Sequence, residues 1–139
     1  MIKPLRLSLS QIPAVSQALA KQLRGGEILA LVGPLGAGKT TFTQNLARHL
    51  KIKHRVTSPT FTLMHVFPFT LDGKPCQLIH LDLYRTKNFT EVKALGLAEF
   101  WGRPDTVTVI EWADKIKRHL PKSARVFRFE NQHEKILPT

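Results

Sequence analysis

This chain is poor in cysteine, in acidic residues and in long apolar runs. Cys76 is its only cysteine, which excludes a disulfide within the chain and a thiolate metal cluster. No apolar run approaches the roughly 20 residues that a membrane-spanning helix needs, and the N-terminus lacks a signal-peptide pattern. Apolar residues make up 42% of the chain and charged residues 22%, as in ordinary soluble domains. We therefore expect a cytoplasmic protein.

Acidic residues are scarcest in the first half of the chain. Glu27 is the only acid before Asp72, whereas this stretch holds nine Lys and Arg, and the whole chain has a net charge of +11. Basic residues cluster within positions 48–55 and again within positions 115–128. Such a field attracts polyanions, which include nucleotides, RNA and acidic protein surfaces. Charge alone does not choose among them.

The most informative segment is a glycine-rich loop. Residues 33–40 read Gly-Pro-Leu-Gly-Ala-Gly-Lys-Thr, a complete G-x-x-x-x-G-K-[ST] phosphate-binding motif. Its glycines let backbone N–H groups turn toward an anion, Lys39 can reach the outer phosphates, and the Thr40 hydroxyl is placed for Mg²⁺. We expect the Lys39 side chain to face solvent. The motif predicts binding of a nucleoside triphosphate by Gly33, Gly36, Ala37, Gly38, Lys39, Thr40 and Thr41.

The surrounding pattern supports this prediction. An apolar run over residues 27–32 is typical of a buried parallel strand, and Phe42, Leu46 and Leu50 recur every four residues, as on one face of an amphipathic helix. Further apolar runs alternate with helical patterns, and Asp72-Gly73 is a hairpin signal. We predict one α/β domain over residues 1–130, a mainly parallel sheet flanked by helices with an antiparallel hairpin. Residues 131–139 are expected to be a frayed tail. The finer expectations are a helix N-cap at Ser10, a helix over 90–100 that is broken or reoriented at Gly96, and a helix over 114–120.

Two acids end apolar strands. Asp82 follows residues 77–81 and Glu111 follows residues 107–110. In a parallel sheet both would emerge at the same carboxyl edge as the phosphate loop, where either one can ligand Mg²⁺ or orient an attacking water. The two positions alone do not decide which acid binds the metal and which orients the water. We expect His80 to face the opposite side of its strand from Asp82, as a core or edge histidine.

Five motifs occur in one order along the chain. They are GPLGAGKTTF (33–42), VTSPTFTL (56–63), HLDLYR (80–85), LGLAE (95–99) and VIEW (109–112). Over about residues 25–115 the chain resembles the TsaE family (also called YjeE), the small bacterial ATPase of tRNA threonylcarbamoyladenosine synthesis. The phosphate loop is shared by many families, whereas the other motifs at these separations are specific to this one. One departure is Pro34, where the family often has an acid.

The resemblance implies a fuller site and a set of partners. It places Thr40 and Glu111 on magnesium, Gly36 to Thr41 around the phosphates, and Asp82 as the Walker-B-type acid. It further implies that Ser58-Pro59-Thr60 is a switch-like loop near the γ-phosphate, with Thr60 in the nucleotide site, and that Trp112 lies beside the nucleotide. The implied activity is hydrolysis of ATP, weak alone and active with the proteins TsaD and TsaB, and with tRNA contacted directly or through that complex.

Other functions use the same loop. A small kinase usually adds an arginine-rich lid, and the segment 51–59 is basic but too short for a lid plus an acceptor site. A GTPase needs an Asn-Lys-x-Asp guanine reader, which the sequence lacks. A nucleotide-dependent RNA-binding protein would suit the charge. Arg85 is a candidate arginine finger, although pairing with a nearby acid explains it equally well.

Overall fold

The protein is described here as a computed structural model over residues 5–57 and 63–130. The expected switch-like loop Ser58-Pro59-Thr60 and the expected frayed tail lie outside the described residues. The described chain builds one six-stranded sheet in the order β1-β6-β2-β5-β4-β3. Its strands are β1 Leu5–Leu7, β2 Ile28–Val32, β3 Met64–Leu71, β4 Lys74–Asp82, β5 Thr106–Glu111 and β6 Arg125–Phe129.

The sheet is parallel except at one edge. Strands β1, β6, β2, β5 and β4 pair in parallel, and only β3 runs antiparallel, to β4. The β3–β4 hairpin turns at Asp72 and Gly73, whose φ angles of 51° and 77° are both positive, as a two-residue type I′ turn requires. The predicted α/β fold with an inserted hairpin is confirmed.

Helices cover both faces of the sheet. The α-helices are α1 Ile12–Gln22, α2 Lys39–His49 and α3 Phe89–Ala94, and two 3-10 helices cover Leu9–Gln11 and Ala113–His119. On one face α1 and α2 pack over a core that includes Leu29, Phe42 and Phe127. On the other face, α3 and the second 3-10 helix pack over a core that includes Ile79 and Ile110. The central strands β2 and β5 are buried at every position, because layers of helices cover both of their faces.

Three local predictions differ from the structure. The helix expected over 90–100 is α-helical only over Phe89–Ala94, and the break expected at Gly96 is confirmed, because Gly96 adopts a φ of 72° that ends an α-helix. The segment expected as a helix over 114–120 is a 3-10 helix over Ala113–His119 that leaves helical dihedrals at Ile116. Ser8, not Ser10, caps the first turn, through a reciprocal capping box with Gln11.

Two further features concern the single cysteine and the character of the helices. Cys76 is buried, and burial raises the pKa of its thiol, which makes it a poor nucleophile. In the described part of the chain, no helix combines the length and the apolar character required to cross a bilayer.

Phe42 anchors α2 to the sheet, which gives a test of the packing. Its ring is fully buried, with ring centroids 5.3 Å from Phe127 and 5.6 Å from Phe129. We expect Phe42→Ala to lower the free energy of unfolding by about 3–5 kcal/mol, because it leaves a cavity in the core. Leu35, 77% exposed, is the control, and Leu35→Ala should change stability by less than about 0.5 kcal/mol. Equal effects in denaturant titrations would contradict this packing.

Candidate functional site

The site lies at the carboxyl edge of the parallel strands. Glu111 at the end of β5 is in register with Leu31 of β2 on one side and with Asp82 of β4 on the other. The glycine-rich loop begins at Gly33, directly after β2. Parallel strands therefore bring both predicted acids and the loop to one edge of the sheet, where open α/β sheets bind ligands.

The loop depends on its glycines for two separate reasons. Gly33, Gly36 and Gly38 have φ angles of 144°, 78° and 111°, a region that side chains with a Cβ rarely adopt. In addition, a Cβ at Gly33 would lie 2.6 Å from the Phe129 carbonyl oxygen, and one at Gly38 would lie 2.7 Å from Ile12 Cδ1. The first of these contacts involves rigid backbone. The loop thus fits closely against β6 and α1.

Lys39 lies under the loop and not in solvent, which corrects our expectation. It is 5% exposed, and its Nζ donates to the carbonyl oxygens of Gly33 at 2.5 Å and Pro34 at 2.9 Å. The ammonium also lies 4.0 Å from the centroid of the Trp112 ring, within cation–π range. Burial lowers the pKa of Lys39, an effect that the nearby Glu111, Asp114 and Asp82 oppose. Lys39 is enclosed because the short loop folds back over the first turn of α2, where Lys39 lies.

Glu111 is the most enclosed acid of the site. It is 3% exposed, and the Thr40 hydroxyl donates to its two carboxylate oxygens at 3.1 and 3.2 Å. On the other side, His80 Nε2 lies 2.6 Å from Glu111 Oε2. A carboxylate only accepts hydrogen bonds, so Nε2 carries the proton in this contact. Glu111 thus joins the phosphate loop to strand β4.

His80 is the residue that our sequence reasoning misplaced. We expected it on the opposite side of its strand from Asp82. Residues two apart on a strand share a face, so His80 and Asp82 point to the same side, toward α2 and Glu111. The His80-x-Asp82 spacing already contained this information. The structure places His80 in the site, fully buried.

An aromatic pair borders the open side of the site. Trp112 follows Glu111 with a left-handed φ of 59°, and its ring lies 5.0 Å from the Tyr84 ring. The backbone N–H of Tyr84 donates to Asp82 Oδ1 at 2.9 Å, and Lys115 Nζ donates to the carbonyl oxygens of Tyr84 and Thr86. The left-handed turn brings the indole to the same side as the preceding carboxylate, an arrangement that strand alternation alone does not give.

These residues surround one cavity of about 330 Å³. Of the predicted site residues, its lining includes Gly36, Gly38, Lys39, Thr40, Thr41, Asp82, Glu111 and Trp112. Gly33 contributes through its carbonyl oxygen to Lys39, Ala37 is buried beneath the loop, and Thr60 lies outside the described residues. Tyr84 and Arg85 also line the cavity. Tyr84 belongs to the HLDLYR motif of the sequence, although no role was predicted for it.

The donor set suits Mg²⁺ with a phosphate ligand. One hydroxyl and two carboxylates are hard oxygen donors, which is the set Mg²⁺ prefers, with remaining positions taken by substrate phosphates and water. Within residues 5–57 and 63–130, no group of three or more His, Cys, Asp or Glu side chains is arranged to hold a metal by itself. The residues fit a metal that arrives with a phosphorylated ligand.

The strand β2, the glycine loop and the helix α2 that starts inside the motif define a P-loop α/β domain. A family model described as "Threonylcarbamoyl adenosine biosynthesis protein TsaE" matches residues 7–136. The chain belongs to the TsaE family.

Individual relatives agree with this assignment. The chain is 42% identical over 101 residues to the tRNA threonylcarbamoyladenosine biosynthesis protein TsaE of Streptomyces coelicolor, covering 72% of this chain and 66% of that protein. It is 41% identical over 105 residues to the TsaE protein of Aquifex aeolicus, covering 74% and 70%. The crystal structure of Bacillus subtilis YdiB superposes with a TM-score of 0.63 and 34% identity, covering 88% of this chain and 73% of that one. The chain thus spans about two thirds of the length of these curated relatives.

The contact between the loop and β6 can be tested by adding one methyl group. Gly33→Ala and Gly36→Ala both place a Cβ at positive φ, which costs roughly 1–2 kcal/mol. Only Gly33→Ala also meets the Phe129 carbonyl, whereas a Cβ at Gly36 has nothing within 4 Å. We expect Gly33→Ala to lower the free energy of unfolding by a further 1–3 kcal/mol or so. Denaturant titrations in which both variants lose the same stability would refute the close approach.

Proposed function

We propose that this protein binds ATP with Mg²⁺ and hydrolyses it in the cytoplasm as part of tRNA threonylcarbamoyladenosine modification. The family assignment supports the pathway, and the phosphate loop supports the nucleotide. Adenine is favoured over guanine because the sequence lacks the Asn-Lys-x-Asp guanine reader. The hydrolysis step is proposed to be slow in the isolated chain and faster with partners.

One observation carries the proposal. The Thr40 hydroxyl, the last residue of the phosphate-binding motif, lies 3.1 Å from a carboxylate oxygen of the buried Glu111. These groups come from positions 71 residues apart in the chain, and the sheet register sets Asp82 beside Glu111. In proteins with this loop, a hydroxyl and a strand-end acid are the groups that hold Mg²⁺ on the phosphates. A glycine-rich turn without such a function would not require a hydroxyl and two carboxylates from separate elements to lie close together.

The residues divide into a phosphate set and a metal set. The backbone of Gly36 to Thr41 and the Lys39 ammonium would hold the phosphates, helped by the positive end of α2. Thr40, Glu111 and Asp82 would hold Mg²⁺, and the bound ion supplies charge neutralisation on the phosphate oxygens. Of the two acids, Asp82 is more accessible. It is therefore our candidate for orienting the attacking water, while Glu111 is enclosed by Thr40 and His80.

Two further side chains are proposed to act from the edge of the cavity. The Trp112 ring, which now covers the Lys39 ammonium, is proposed to lie beside the nucleotide. Arg85 lines the same cavity and has further contacts within the protein. We do not assign it as an arginine finger. A finger supplied by a partner would explain slow turnover alone, since such a group contributes ~10³–10⁵ in rate.

The proposed partners are TsaD and TsaB, with tRNA contacted directly or through that complex. A basic surface offers a place for such contacts: Arg48, Lys51, Lys53 and Arg55 are all exposed at the far end of α2. In the described part of the chain, none of these four cations forms an ion pair. A groove of about 390 Å³ is lined by two of them, Arg48 and Arg55, and Gln44 Nε2, which donates to the Val56 carbonyl at 2.8 Å, holds one wall of this groove in place.

ATP binding can be tested at Lys39. We expect Lys39→Ala to weaken ATP binding by about tenfold to a hundredfold, since a hydrogen bond to a charged group contributes ~1.5–3 kcal/mol. Calorimetric titration gives the affinity, and Lys51→Ala, which removes the same charge from an exposed site, is the control. Phosphate release from ATP, measured with and without TsaD and TsaB, then tests hydrolysis. Unchanged ATP affinity in Lys39→Ala would overturn the proposal.

The basic surface is proposed to serve partners and not the nucleotide. Since α2 has 11 residues and rises ~1.5 Å per residue, this surface lies beyond a Debye length of ~8–10 Å from the loop. We expect the triple change of Lys51, Lys53 and Arg55 to Ala to weaken retention on immobilised TsaD–TsaB, with or without tRNA, at unchanged ATP affinity.

A control with the same loss of charge is available in the second basic cluster. Lys117, Arg118 and Lys122 are exposed, and changing all three to Ala also removes three positive charges. Equal losses of retention in the two triple variants would assign the effect to the overall field of the protein. A loss of ATP affinity in the first triple variant would instead place the basic surface inside the nucleotide site.

A further inference from the structure

His80 is held against Glu111 by one short contact. Its Nε2 lies 2.6 Å from Glu111 Oε2, and the exposed fractions of the two side chains are 0% and 4%. Its other ring nitrogen, Nδ1, is buried with no hydrogen-bond partner among the described residues. Within the described ranges, the hydrogen bonding of this ring is therefore directed at one oxygen of one carboxylate.

Two side chains from different elements contact the Glu111 carboxylate, Thr40 of α2 and His80 of β4. The Thr40 hydroxyl lies at nearly equal distances from both oxygens, so by itself it does not fix the rotation of the carboxylate plane. The His80 contact reaches only Oε2. Together the two contacts hold the carboxylate from two sides, and among the described side-chain hydrogen bonds Oε1 accepts only from Thr40. The ring is in turn fixed by β4, whose register sets His80 opposite Val109 and Asp82 opposite Glu111.

We propose that His80 is a positioning residue that holds the Glu111 carboxylate for Mg²⁺ through the hydrogen bond from Nε2. This inference rests on the proposed function, since it assigns Glu111 to the metal. Carboxylates that ligate metals are themselves held by hydrogen bonds from outer residues, and removal of such a partner typically costs 10–100-fold in metal affinity or activity. His80 does not line the cavity, and its side-chain hydrogen bond among the described residues goes to Glu111, which does.

A matched pair of amides isolates the Nε2 hydrogen bond. The Gln side-chain nitrogen occupies the place of His Nε2, whereas the shorter Asn side chain places its nitrogen near His Nδ1. His80→Gln therefore keeps a donor toward Glu111, and His80→Asn removes it. His65, in register with His80 on β3 and outside the cavity lining, is the control position for the same changes.

The test measures ADP binding by calorimetry, once in EDTA and once over a series of Mg²⁺ concentrations. We expect His80→Asn to raise the Mg²⁺ concentration needed for half-maximal tight binding by about 10–100-fold, and His80→Gln to stay within about threefold of wild type. Binding in EDTA should be equal for all variants, because the phosphate loop is untouched. The His65 variants should behave as wild type in both conditions.

A double mutant tests whether His80 acts through Glu111. In a Glu111→Gln background, His80→Asn should shift the Mg²⁺ dependence no further. Should His80→Asn fail to fold, His80→Leu removes the same donor, and His80→Gln by itself must keep the wild-type Mg²⁺ dependence. Equal Mg²⁺ dependence for the Asn and Gln variants, a large shift in His80→Gln, or additivity in the double mutant would each overturn the positioning role. Absence of ADP binding by the wild-type protein under both conditions would instead refute the proposed function.

Discussion

The parallel pairing of β4 with β5 is the constraint on which the site depends. It sets Asp82 directly beside Glu111, and the pairing of β5 with β2 sets Glu111 beside the start of the glycine loop. A register shift of one residue on either strand would turn these acids to the opposite face. The side chains of β5 are buried on both faces, and such a shift would move those packed against one layer of helices to the other layer. Core packing and site geometry are thus fixed by the same register.

The sequence predicted the parts of the fold that have strong local signals. The strand β2 is a continuous apolar run, β5 consists of Thr, Val and Ile before Glu111, α2 has a four-residue apolar period, and Asp72-Gly73 has the residues that its turn requires. These patterns are local, and each points to the same structure. The break at Gly96 was also predicted, whereas the bend at Ile116 was not, because its backbone angles depend on the packing around it. The acids were placed correctly because strand direction alone sends them to one edge.

The sequence did not reveal which side chains meet within the site. Lys39 was expected in solvent, yet two carbonyl oxygens and the Trp112 ring enclose its ammonium. The contact between His80 and Glu111 joins residues 31 positions apart, and only the sheet register reveals it. Such contacts carry no periodic signal, because they depend on the relative placement of strands that are distant in sequence. The two-residue spacing of His80 and Asp82 was nevertheless sufficient to place both on one face.

The enclosed position of Lys39 affects how the proposed ligand would bind. Its ammonium is already satisfied by the carbonyl oxygens of Gly33 and Pro34, and burial lowers its pKa. A phosphate group must therefore compete with acceptors of the protein itself. It has the advantage of charge, because a charge-assisted hydrogen bond to phosphate is stronger than one to a neutral carbonyl. The carbonyls hold the lysine beside the loop before the anion arrives, which lowers the entropic cost of ordering a long side chain during binding. A multiply charged ligand would therefore gain more from this exchange of acceptors than a weakly charged one.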